Sequence, residues 1–138
     1  MYTLNKDYLR VALAKLDASG LVKAGGRVDK AIPNYVAALS PSLRATGLIA
    51  TLAIYASDDA GKGAAAKLPV LNLITSMLSD DELQLLPETE RKSLASASNM
   101  FYWAIKQDKK QFPRIQRQLE TATAAIKVAI RTYKIPKA

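Results

Sequence analysis

Two acidic clusters, Asp58-Asp59 and Asp80-Asp81-Glu82, have the spacing that metal-assisted chemistry would use. Adjacent carboxylates can hold magnesium for phosphoryl transfer. The rest of the catalytic vocabulary is thin. The 138 residues include no histidine and no cysteine, so Ser-His-Asp and Cys-His arrangements are excluded and so are ordinary zinc sites. Both acidic clusters fall at expected helix ends, where the helix dipole favours acidic groups at an N-terminus, and Asp80-Asp81-Glu82 lies in such a place. The segment AGKGAAAK carries glycines and lysines but not the phosphate-loop spacing G-x-x-x-x-G-K-[ST]; no strand precedes it and no hydroxyl follows the lysine. Neither catalysis nor a metal or cofactor is expected.

Charge is the stronger signal. The chain carries +8 at neutral pH with a pI near 9.8, and the charge is uneven. Residues 1–56 hold seven basic and three acidic side chains, net +4; residues 57–105 hold four and seven, net −3; residues 106–138 hold nine and two, net +7. A concentrated positive field favours polyanionic partners, nucleic acid first. The plain alternative is a solubilising basic surface.

The elements that must carry these residues read as helices throughout, because alanine is abundant and period-two β-branched runs are missing. The expected helices cover residues 4–18, 28–39, 40–57, 64 or 69 to 78, 88–109 and 114–134. Gly20 and Gly25-Gly26 mark a loop after the first. Ser40 and Pro41 read as N-cap and first residue of the third. That third segment, SPSLRATGLIATLAIYAS, is apolar almost all round, as a buried central helix is. Its uncharged run is too short for a membrane span of about 20 residues. Gly47, Ala50 and Ala53 would let neighbouring helices approach closely. With no linker or repeat in view, the expectation is an all-α, compact single-domain bundle of about six helices around a buried central helix. No signal peptide is read at the N-terminus, and the lack of cysteine fits a reducing cytoplasm.

At about 100° per residue, the last helix places Ile115, Leu119, Ala122, Ile126, Ala129, Ile130 and Tyr133 on one side, with Arg117, Glu120, Lys127, Arg131 and Lys134 opposite. The second set is a solvated basic stripe, and a nucleic-acid surface if it lines a groove. Contacts of this kind to phosphate are independent of sequence and sensitive to salt; no helix-turn-helix spacing is present. On the fifth helix, Leu94, Phe101 and Ile105 share a face. Trp103 points away from them, either packed against a neighbouring helix or partly exposed, where it would bind a partner.

The central segment resembles a known family. A tyrosine-bearing helix (Ile32-Pro33-Asn34-Tyr35), a short Ser-Pro start, then Gly47-Leu48 and Thr51-Leu52-Ala53-Ile54-Tyr55 are similar to the small helical subunit of type III-B CRISPR effector (Cmr) complexes. The similarity runs over residues 28–135 and includes the fifth helix around Tyr102 and the closing helix from Ala122 to Tyr133. The resemblance implies a non-catalytic RNA-binding subunit in antiviral defence, cytoplasmic, stacked along the inner filament of an RNA-guided complex. Its implied partners are the large Palm-domain subunit, the RAMP backbone subunits, further copies of itself, and guide and target RNA. The family supplies no site motif, so the RNA-binding candidates are chosen by charge: Arg117, Lys127, Arg131 and Lys134, then Lys106, Lys110 and Arg114. The competing expectation is a helical protein-interaction adaptor without a nucleic-acid role. A third, a magnesium nuclease built on the acidic clusters, would lose activity but not its fold on Asp80→Ala or Asp81→Ala.

Overall fold

The computed structural model describes residues 6–23, 25–57 and 67–133, and in these the helical pattern becomes seven α-helices and one short hairpin. In chain order they are α1 (Lys6–Ala18), β1 (Val22–Lys23), β2 (Arg27–Val28), α2 (Ala31–Thr46), α3 (Leu48–Ala56), α4 (Lys67–Leu78), α5 (Glu88–Ser96), α6 (Met100–Ile105) and α7 (Phe112–Ile130), with a single 3-10 turn at Lys109–Gln111. The all-α bundle is as expected. One hydrophobic cluster draws residues from every helix.

Several boundaries differ, each for a physical reason. Ser40-Pro41 does not start a helix; Pro41 lies inside α2. The buried residues Ile32, Val36, Leu39 and Leu43 fall within about 60° of one another at 100° per residue, so the stripe runs in register straight across the Ser-Pro pair. Burial of that stripe outweighs the hydrogen bond that proline removes. Pro41 and Ala37, whose carbonyl loses that bond, are both exposed, where water can replace it.

The break comes instead at Gly47, with φ +91° and ψ 169°. A Cβ there would meet nothing within 4 Å, so this glycine serves the backbone angle and not, as expected, a close helix approach. Ser42, Thr46 and Thr51 tie the corner together: Thr51 Oγ1 lies 3.0 Å from both Ser42 Oγ and Thr46 Oγ1, and Thr46 Oγ1 donates to the Ser42 carbonyl. Gly47→Ala is expected to cost about 1–3 kcal/mol through backbone strain alone. Urea unfolding would show this as a lower midpoint at unchanged slope.

Segment 40–57 is therefore not the buried spine. α3 buries Leu48, Thr51, Leu52 and Tyr55 on one face, while Ala50 is exposed and Ile54 is 46% exposed. Tyr55 donates its hydroxyl to the Tyr35 carbonyl at 2.7 Å, and burial, followed by the neighbouring Tyr35, pushes its phenol up to about 12. The central helix is α4. It buries Val70, Leu71, Leu73, Ile74, Met77 and Leu78 and touches each of the other six helices.

The expected fifth helix is also two. Ala97 is extended, and the Asn99 side chain accepts the Tyr102 N–H at 3.2 Å, restarting the chain as α6. The loop after α1 forms a hairpin that pairs Val22 with Val28 and Lys23 with Arg27. Both glycines of its turn have positive φ.

Candidate nucleic-acid interface

α7 positions the main basic surface. Its buried face is wide: Ile115, Leu119, Ala122, Ala125, Ile126, Ala129 and Ile130 enter the core, flanked by Thr121 and Thr123. The two threonines are buried at low cost, because their hydroxyls donate to the Arg117 and Leu119 carbonyls. This fixes the rotation of the helix and leaves Arg117, Lys127 and Arg131 exposed, with no ion pair among the described residues. The three span about 21 Å along the axis. Glu120, on the same outer face, is held at 3.1 Å by Arg44 from the end of α2. A second helix thus offsets the one acidic side chain of α7, and the face keeps its positive sign.

The corner before α7 adds Lys106 and Lys110, both exposed, and Lys109 between them in chain order on the same turn. Asp108 stands among them as a cap: its Oδ1 accepts the Lys110 backbone N–H at 3.0 Å. Arg114, expected with this set, is otherwise engaged. It donates to both carboxylate oxygens of Glu90, at 2.8 and 3.0 Å, and to Gln111 Oε1, so its charge holds α5 against α7. Lys134 lies outside the described residues.

Sequence reasoning missed a third group. Lys23 and Arg27 are opposite one another in the hairpin and exposed, while the other pair, Val22 and Val28, turns toward the core. The hairpin turn lies beside Tyr133, just past the end of α7: a Cβ on Gly26 would be 3.9 Å from the Tyr133 ring. Tyr133 donates to Asp17 Oδ1 at 2.5 Å, tying the ends of α7 and α1 together, and partial burial and the Asp17 carboxylate push its phenol up to about 12. The available signal was Gly25-Gly26 between two short apolar-basic pairs, a hairpin pattern.

The acidic cluster 80–82 has three separate basic partners. Asp80 pairs with Lys15 at 3.3 Å, Asp81 with Arg91 at 3.0 Å, and Glu82 with Arg10. Asp80 Oδ1 also accepts the N–H groups of Glu82 and Leu83, which shapes the turn. Among the described residues no three metal-ligating side chains converge. Asp58-Asp59 lies outside the described residues, as do the glycines of AGKGAAAK.

Trp103, the expected partner-binding residue, is 3% exposed and packs inward. As placed it offers a partner almost no area. The exposed neighbours are Tyr102, at 54%, and Ile105, at 53%; the sequence put Ile105 on one face with Leu94, which is buried. The break at Ala97 rotates α6 relative to α5 and undoes that shared face.

No protein-family model matches the chain, and neither a curated protein nor a solved structure matches it. No helix among the described residues is long and apolar enough to cross a membrane.

Proposed function

We propose that this chain is a non-catalytic RNA-binding subunit of an RNA-guided assembly, of the type III-B kind that segment 32–55 resembles. One observation carries the nucleic-acid part: Arg117, Lys127 and Arg131 stand exposed in a row without ion pairs among the described residues, on a scaffold whose acidic residues 80–82 and 90 are each paired. Unpaired cations on a rigid helix release counterions from a polyanion at little ordering cost. The type III-B assignment rests on the sequence resemblance. α3 and α6 pack against each other and each exposes one isoleucine, Ile54 and Ile105, which a protein neighbour within such an assembly would cover.

The test is the salt dependence of RNA binding. Labelled single-stranded RNA is titrated with protein between 50 and 200 mM salt and followed by anisotropy. The triple variant Arg117→Ala, Lys127→Ala, Arg131→Ala is expected to reduce the log–log slope by about 2 and the affinity on the order of 100-fold at 0.1 M salt. Lys92→Ala, whose charge is already paired with Glu88, is expected to leave both unchanged. A triple variant with the wild-type slope would refute the RNA-binding reading and favour the adaptor.

A further inference from the structure

A cleft of about 660 Å³ opens where α5 breaks into α6, lined by Ser93, Ser96, Ser98, Tyr102, Trp103 and Lys106. Its volume falls in the range of small-ligand sites, about 300–1,000 Å³. Three features of its lining converge. Tyr102 presents an exposed ring, and Phe101 steadies it edge-on, with centroids 5.4 Å apart and planes at 61°. Lys106 has no ion pair among the described residues, and neither the Ser93 nor the Ser98 hydroxyl has a hydrogen bond there. Trp103 is 97% buried, yet its Nε1–H meets no acceptor among the described residues. Buried N–H groups are nearly always paired; with Nε1 closed to solvent, an acceptor in the cleft reaches it only when the indole turns outward.

We infer that this cleft binds one nucleoside phosphate unit, with the base stacked on Tyr102 and the phosphate at Lys106 and the Ser93 and Ser98 hydroxyls, the Ser96 hydroxyl being bonded to the Lys92 carbonyl. An aromatic face suits any base, an ammonium with free hydroxyls suits a phosphate, and an indole N–H suits a carbonyl or ring-nitrogen acceptor on the base. The same chemistry comes from a free mononucleotide or from an unpaired nucleotide within a strand. The cleft takes Lys106 from the basic corner before α7 but is not lined by Arg117, Lys127 or Arg131.

The chain has one tryptophan, so its fluorescence reports directly on the cleft. The probes are adenosine and uridine 5′-monophosphates, the matching nucleosides, and a short single-stranded oligonucleotide. A saturable change in Trp103 emission is expected, weaker for nucleosides than for their phosphates. Tyr102→Ala is expected to reduce affinity about 5- to 150-fold, with its far-UV spectrum unchanged because the side chain is exposed. Lys106→Ala is expected to remove the preference for the phosphate. Saturation by mononucleotides identifies a free-nucleotide site; saturation by the oligonucleotide alone identifies an unpaired strand nucleotide. The Arg117, Lys127, Arg131 triple variant should keep mononucleotide binding, or oligonucleotide quenching at saturation. No saturable change with any probe, or an equal change in Tyr102→Ala, would overturn the inference and leave the basic-face reading to its own salt test.

Discussion

Leu52→Ala is expected to cost about 2–5 kcal/mol of unfolding free energy, while Ile54→Ala, two residues along the same helix, is expected to stay within about 0.5. Leu52 has no exposed surface and sits in the face of α3 that packs on α2, α4 and α6. Its removal forfeits both the transfer free energy and the contacts that line the cavity. Ile54 is 46% exposed, so truncating it leaves no hole. A domain of this size has about 5–15 kcal/mol to lose, so the first variant should move the urea midpoint far and the second hardly at all, at equal slopes. Equal losses at both positions would mean that segment 48–56 is buried on every side, as its composition alone suggests. The pair therefore separates a helix that is apolar from one that is enclosed.

That distinction explains much of what could be read from the sequence and what could not. α7 was legible because its pattern is amphipathic: seven core residues on one side and cations on the other admit one rotation. α3 was misread because nearly all of its residues are apolar, so composition could not say which side met water. Conversely, α4 shows an ordinary mixture, Asn72 and Ser76 among leucines, and nothing local marks it as the helix that all others touch. Centrality is a property of the assembly of helices. Local signals also lost to non-local ones. Ser40-Pro41 is a sound helix start in isolation, but the stripe from Ile32 to Leu43 continues through it. At Asn99 the local signal was the correct one, a cap ahead of an apolar run, and it was hidden inside an alanine- and serine-rich stretch that reads as helix.

The candidate site divides in the same way. Exposure of Arg117, Lys127 and Arg131 followed from periodicity. The loss of Arg114 to Glu90 did not, because its partner is 24 residues away and on another helix. Nor did the shielding of Glu120 by Arg44, 76 residues away, or the place of Lys23 and Arg27 in a hairpin beside the end of α7. Residue charge is a matter of sequence; whether that charge is free to meet a polyanion depends on tertiary pairing. A net charge of +7 over residues 106–138 therefore overstates the available surface at one point and omits a contribution from the hairpin.

Trp103→Ala is expected to cost about 3–5 kcal/mol, the range for deleting a buried aromatic side chain. Were Trp103 a surface anchor awaiting a partner, the same change would stay within about 0.5 kcal/mol in the free protein. Trp103→Phe should cost much less than the alanine variant, for two reasons. It keeps an aromatic ring against the core, and it removes an N–H that has no acceptor among the described residues, a defect worth about 1–3 kcal/mol when a donor is buried unpaired. The phenylalanine variant is therefore the informative one. Near-wild-type stability in urea, together with weakened nucleotide binding followed by anisotropy of a labelled oligonucleotide, would show that the indole nitrogen serves the cleft at the expense of the fold. A loss as large as that of the alanine variant would show that the full indole volume is required by the core, and that the unpaired N–H is merely tolerated there.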